Sequence, residues 1–114
     1  MKITVPLIPP SLNHFAGRKN DREYQQAKRE WKDLVCYCAP KQEKPFSKSV
    51  VTITYFFRDK RRRDPDNYSG KMIMDGLTAA GIIRDDSFDC VELRIVGNCD
   101  RQNPRTEITI EEVV

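Results

Sequence analysis

The apolar positions of this chain recur every second residue in some stretches and every third or fourth in others, and the order of these switches predicts its architecture. In residues 2–8, Ile3 and Val5 alternate with Lys2 and Thr4, as in a strand with one buried face. Pro6 predicts an edge position or an early end for that strand, because proline cannot donate to a ladder. The run Pro9-Pro10-Ser11-Leu12-Asn13 is expected to be a turn-rich loop that is not helical. Over residues 21–38, Tyr24, Ala27, Trp31, Leu34, Val35 and Cys38 form one stripe at helical spacing, with Asp21 as cap or first-turn acid and Ala39-Pro40 as the stop.

A polar loop over 40–48 leads to residues 49–57, SVVTITYFF, β-branched and aromatic throughout and apolar enough for a central strand. A second helix is expected over 68–80, with Ile73, Met74, Leu77 and Ala80 towards the core. Gly81 suits a left-handed cap there, with Ile82 packing back on Leu77. Residues 90–97 and 105–113 alternate as two further strands, joined by 98–104. The order β-α-β-α-β-β predicts an α+β (mixed α/β) fold: a single small domain over 1–114, with two helices packed on a mixed sheet. No internal repeat or low-complexity segment interrupts it.

The length of 114 residues suits one modest core that needs no staples. The four cysteines at 36, 38, 90 and 99 lack zinc-knuckle spacing, and the single histidine, His14, is far upstream, so free thiols in a reducing compartment are expected. With one histidine, no Ser-His-Asp or Cys-His pair is available. No phosphate-cradling glycine loop is present, and no organic cofactor is expected. Neither a signal peptide nor an apolar run of membrane-spanning length is seen, which predicts a cytoplasmic chain without a membrane partner.

Charge changes the picture more than composition does. The formal net charge is only +3, but Arg58 and Lys60, Arg61, Arg62 and Arg63 place five bases in six positions. Such clustering favours a polyanionic partner. Directly after it stands Asp64-Pro65-Asp66-Asn67. On an extended segment residues i and i+2 point to one side, and Pro65 restricts the backbone on either side of itself. Asp64 and Asp66 are thus expected side by side, a nucleus for a hard divalent cation next to a seat for phosphate. The alternative is a turn in which Asp66 or Asn67 caps the next helix, with the arginines merely solvated. Asp85-Asp86 follows the second helix, and a return loop can bring it back beside 64–66, so that three or four carboxylates share one or two cations. Lys71 either pairs with Asp75 one turn on or aims at charge developing on a phosphate. An EF-hand is rejected: Asp64, Asp66 and Asp75 fall at loop positions 1, 3 and 12, but Tyr68 takes position 5 and Gly70 position 7.

Arg63-Asp64-Pro65-Asp66-Asn67, Lys71, Asp75-Gly76-Leu77, Gly81 and Asp85-Asp86 together resemble the RusA family of Holliday junction resolvases. Pro9-Pro10-Ser11 with Asn13 is similar to that family's N-terminal signature. The resemblance implies a homodimeric, Mg²⁺-dependent (or Mn²⁺-dependent) endonuclease of bacteria or their phages that resolves four-way DNA junctions by symmetric nicks, in recombination and repair. It assigns Asp64, Asp66 and Asp86 to metal binding and catalysis, and Asp85 to the neighbouring acid. Lys71 and Arg63 would neutralise the scissile phosphate, and Lys60, Arg61, Arg62, Asn13 and Asn67 would meet the DNA. Tyr68-Ser69-Gly70 sets Lys71 one residue later than the family's spacing, which on a continuous helix turns it by about 100°. The competing reading is a non-catalytic, structure-selective nucleic-acid-binding protein.

Overall fold

The computed structural model describes residues 1–16 and 21–114. Its sheet has four strands: β1 (Lys2–Val5), β2 (Ser49–Phe57), β3 (Val91–Cys99) and β4 (Arg105–Glu112), in the spatial order β1-β4-β2-β3. β2 runs parallel to β3 and antiparallel to β4, and β1 is antiparallel to β4, so the sheet is mixed as expected. β3 and β4 are consecutive in sequence but not neighbours, because β2 lies between them. β1 is an edge strand that ends before Pro6, where the ladder loses its donor.

Alternate residues of the central strand, Ser49, Val51, Ile53, Tyr55 and Phe57, are buried. They share one face with Ile108 and Ile110 of β4 and Ile3 and Val5 of β1. Helix α1 (Asp21–Cys38) buries Trp31 and Val35, with Tyr24, Ala27, Leu34 and Cys38 partly covered; this is the stripe expected from its spacing. Helix α2 (Lys71–Ala79) is shorter than expected and buries Met72, Ile73, Met74, Gly76 and Leu77, most of its circumference. A Cβ on Gly76 would sit 2.7 Å from Val35 Cβ, so α1 and α2 meet there through the missing side chain. The expected apolar face was too narrow because α2 packs against α1 as well as against the sheet-side core.

The chain enters α2 through a 3-10 helix, Pro65–Tyr68, and a break at Gly70, whose φ of 82° is left-handed. This moves the helix start from 68 to 71. At the other end Gly81 adopts φ 72°, its N–H bonding the Thr78 carbonyl (3.1 Å) while that of Ile82 bonds Leu77 (3.0 Å). Those two bonds are a Schellman cap, and the buried Ile82 supplies its apolar contact. One expectation is corrected at the N-terminus. Leu12–Phe15 forms a 3-10 helix directly after the prolines, started by Ser11, whose hydroxyl accepts from the Asn13 N–H at 3.1 Å. A turn of this kind needs only i to i+3 bonds, which the two prolines before it do not prevent. No described helix is long and apolar enough to cross a membrane.

Candidate active site

The acidic motif lies where β2 leaves the sheet. Asp64 is the residue before the 3-10 helix Pro65–Tyr68, and its carboxylate makes no capping bond. Asp66 lies exposed in that helix's first turn. The Asn67 N–H donates to the Asp64 carbonyl at 3.0 Å, and α2 starts from Gly70 without a side-chain cap. The helix-cap reading of Asp66 and Asn67 is therefore not what the structure shows. The nearest charge on Asp64 is the exposed Arg62, 3.4 Å away.

Residues 64–71 form a ridge with a depression on either side. The larger, about 590 Å³, has Ser69, Lys71, Asp86, Phe88, Glu92 and Leu93 on its walls. The smaller, about 110 Å³, is bounded by Tyr55, Phe57, Arg63, Asp64, Tyr68 and Gly97. β3 floors both: Leu93 pairs with Val51, Ile95 with Ile53 and Gly97 with Tyr55, so these three face the same side as the core residues of β2. Lys71 and Asp86 thus share one hollow while Asp64 borders the next. Lys71, Asp85 and Asp86 make no ion pair among the described residues, so the alternative Lys71–Asp75 pair is not formed. The Tyr68-Ser69-Gly70 offset falls in the break before α2, which leaves Lys71 as the helix's first residue beside Asp86 instead of rotating it within a helix.

The loop that carries Asp86 is fixed on both sides. Phe46 bridges Ile83, with bonds from Phe46 N–H to the Ile82 carbonyl and from Arg84 N–H to the Phe46 carbonyl. Downstream, the Ser87 carbonyl accepts from the N–H groups of Cys90 and Val91.

The basic residues divide into two kinds. Lys60, Arg61 and Arg62 are exposed. Arg63 is not free: it donates to the Asp59 carboxylate at 2.8 Å and to the carbonyls of Asp59 and Arg61, and its guanidinium stacks 4.2 Å from the Phe57 ring centroid. The Arg61 N–H and then the Arg63 guanidinium hold the Asp59 carboxyl below the ordinary carboxylate range. Asp59 thus organises the loop around Arg63, a contact that the charge count of the arginine run does not reveal. Asn13 is exposed on the N-terminal 3-10 helix, which packs against the 3-10 helix of the acidic motif. Pro9, Pro10 and Leu12 close a narrow crevice there with Tyr68 and Gly70.

The donor set of Asp64, Asp66, Asp85 and Asp86 is all oxygen, which fits a hard cation such as Mg²⁺. Among the described residues, however, no three His, Cys, Asp or Glu side chains are gathered as a group that can hold a metal. The expected sharing of one or two cations by three or four carboxylates is therefore not preassembled. α2 has nine residues, about 13 Å of rise, where about four turns were expected, and its return loop places Asp86 in one hollow with Lys71.

Comparison with known families matches residues 6–111 to endodeoxyribonuclease RusA. No curated protein matches the chain. The matched span includes the acidic ridge, Lys71, the Asp85-Asp86 loop and strands β2, β3 and all but the last residue of β4, leaving out only β1 of the sheet, and so the chain belongs to the RusA family of endodeoxyribonucleases, which are Holliday junction resolvases.

Proposed function

We propose that the chain is a divalent-metal-dependent resolvase that acts as a homodimer and nicks opposite strands of a four-way DNA junction. The observation that carries this reading is the ridge 64–71: the exposed Asp64 and Asp66 and, across one hollow from Asp86, Lys71 stand on it beside a loop of exposed bases, with the Asp64 carboxylate engaged, among the described residues, only by the exposed Arg62. Asp64, Asp66 and Asp86 would hold Mg²⁺, or Mn²⁺ in its place, with Asp85 as the adjacent acid. Mg²⁺ commonly takes one or two carboxylates, several waters and substrate phosphates, so carboxylates that stand apart in the free chain are suited to completion by the DNA. The metal would supply Lewis acidity and a hydroxide-like nucleophile near neutral pH.

The chain's own groups do the rest. Lys71, first in α2, presents its ammonium where charge develops on the scissile phosphate. Lys60, Arg61 and Arg62 hold flanking phosphates, and Asn13 and Asn67 lie at the same face. Arg63 is assigned differently from the sequence expectation: it fixes the loop instead of meeting the phosphate.

β3 is an edge strand on which Leu93 and Val96 are each 41% exposed, and Phe88 beside it is fully exposed. An uncovered apolar edge of this kind is a template for pairing, and a second copy docked there would place two sites by two-fold symmetry. The setting is the cytoplasm of a bacterium, with a host or phage gene as source.

Asp66→Asn is expected to keep the fold and the junction affinity within about threefold while lowering Mg²⁺-dependent cutting about a hundred- to a thousandfold, the scale of losing one group's electrostatic catalysis. Cleavage at near wild-type rate by this variant would overturn the assignment. One observation favours the binding-only alternative, the lack of a ready three-carboxylate group among the described residues. Junction binding by the wild-type protein without nicking in Mg²⁺ or Mn²⁺ would establish it.

A further inference from the structure

The homodimer proposed above needs an edge that fits its own copy, and the two edges of the sheet differ. β1 has four residues and stops before Pro6, whereas β3 runs for nine in unbroken one-to-one register with β2 and holds no proline. Short strands and prolines blunt an edge, while a long regular one is ready to pair. The charged residues of β3 are Glu92 and Arg94, two positions apart and thus together on the face away from the core. Within one chain they make an exposed pair at 3.6 Å, which is weak. The edge also carries a knob and a hole. Phe88 is fully exposed on a turn fixed by the Ser87 carbonyl, which accepts from the Cys90 and Val91 N–H groups. Towards the other end of β3, Gly97 opens a hollow of about 110 Å³ whose walls include Tyr55, Phe57, Tyr68 and Ile95. A Cβ there would meet only Phe57 Cε2, at 3.8 Å, so crowding does not require glycine, and the missing side chain leaves the hollow open.

In a two-fold pairing of antiparallel β3 strands, one residue lies opposite its own copy on the axis. An axis at Arg94 opposes two arginines. At Ile95 it pairs more of the strand, but Glu92 and Arg94 then face the uncharged Asn98 and Val96. At Val96, Glu92 faces Asp100, and at Gly97, Arg94 faces an Asp100 that Arg105 already holds at 2.8 Å. At Leu93, Glu92 faces the partner's Arg94 and Arg94 the partner's Glu92, and directly opposed unlike charges stabilise a strand pair. We propose that two copies of the chain join β3 to β3 in the Leu93 register, each Phe88 seating in the partner's Gly97 hollow. Counted outward from the axis, Phe88 comes abreast of the partner's Asn98, beside the partner's Gly97, so charge and shape select the same register. An apolar cavity of roughly 150 Å³ holds benzene, and the hollow of about 110 Å³, open on one side, is on the scale of one phenyl ring. The Tyr68 and Phe57 rings, already edge to face, accept a third ring edge-on. Leu93 is then covered by its own copy and Val96 lies beside the partner's Cys90, which accounts for the exposed apolar side chains of this edge. Asp64 borders the same hollow, so the partner supplies a wall of the acidic site. The inference rests on the homodimer reading given above, but it is read from association alone, without DNA or metal.

The test is sedimentation equilibrium of the full chain and its variants in metal-free buffer. Glu92→Lys and Arg94→Glu each set like charges across the axis twice, and each should weaken self-association about tenfold or more. Mixed in equal amounts, the two variants should associate within about threefold of wild type, because every pair across the axis is then of opposite charge. The pair within one chain is broken in both variants, so it does not explain such a rescue. Phe88→Ala removes a side chain that the single chain leaves in solvent. It should weaken the dimer about 10- to 100-fold, with the circular dichroism of the monomer unchanged. Gly97→Leu fills the hollow and should weaken it similarly; Phe88→Ala decides the matter if Gly97→Leu fails to fold. A wild type that stays monomeric across the micromolar range overturns the proposal, as does a dimer indifferent to these variants or a mixture that fails to associate. Mg²⁺-dependent cutting by the wild type, run in parallel, separates the readings. A dimer with this edge that does not cut refutes the nuclease assignment alone, and a cutting dimer that ignores the variants refutes the interface alone.

Discussion

Gly70 decides how the acidic motif joins α2. Its φ of 82° costs an L side chain about 1–2 kcal/mol, and a Cβ there would come within 2.6 Å of Ile53 Cδ1 and 3.4 Å of Ile95 Cδ1. Strain and crowding together should make Gly70→Ala destabilising by about 2–4 kcal/mol. Gly81 has a similar φ, 72°, but nothing within 4 Å of a Cβ, so Gly81→Ala should cost only the backbone part, about 1–2 kcal/mol. Urea titrations of the two variants, read at unchanged slope, make the comparison; equal losses would mean that the close approach to Ile53 is unimportant. In the sequence Gly70 falls inside the expected helix 68–80, within the Tyr68-Ser69-Gly70 offset. Its purpose was not legible there, because the contact with Ile53 and Ile95 joins residues distant along the chain.

At the scale of elements, the loop from β3 to β4 is held by a charged network. Arg105 donates to Asp100 at 2.8 Å and to Glu107 at 2.6 Å, Lys2 of β1 pairs with Glu107 at 2.9 Å, and Arg105 lies 3.9 Å from the Phe56 ring centroid. The Arg105 guanidinium lowers the Asp100 carboxyl, and Lys2 followed by Arg105 lowers that of Glu107. Both folded-state values lie below the unfolded ones, so the unfolded chain binds more protons in acid. The network's contribution is therefore complete above the ordinary carboxylate range, near pH 4, and is lost as pH falls through the lowered values. Denaturation midpoints measured between pH 6 and pH 2.5 should fall steeply, and Glu107→Gln should flatten the lower part of that curve; an unaltered curve would remove Glu107 from the account. This network was invisible in the sequence, where Lys2, Arg105 and Glu107 read as strand positions and Asp100 as part of the connecting loop. α1, by contrast, was legible to its buried residues because solvent on its far face keeps the period clean. α2 was not, since α1 and the core cover it on several sides. The acidic motif and its return partner were readable from spacing, but whether they meet depends on helix length and on the turn at Gly70.

The whole molecule measures 38 × 32 × 25 Å, and the exposed bases of the arginine run stand on one loop after β2, with the apolar edge of β3 beside the same ridge. The run of five bases suggested five phosphate contacts per chain; the structure commits Arg63 to Asp59 and leaves Arg58, Lys60, Arg61 and Arg62 exposed. The pairs Arg61–Asp59 at 3.8 Å and Arg62–Asp64 at 3.4 Å are exposed and weak, so DNA can displace them. Each neutralised phosphate contributes about −0.9 to the slope of log affinity against log salt. Four bases on a single bound chain thus predict a slope of about −3.6, and a dimer that engages both loops about −7. Binding isotherms of a four-way junction, taken in metal-free buffer across 50–300 mM salt, read this directly. The proposed dimer requires the steeper value, and Arg61→Ala with Arg62→Ala should then reduce it by about 3.6, two contacts from each copy. A slope near −3.6 in the unmodified protein would leave DNA binding intact but remove the second copy. A slope near zero would mean that the basic loop is only a solvated surface.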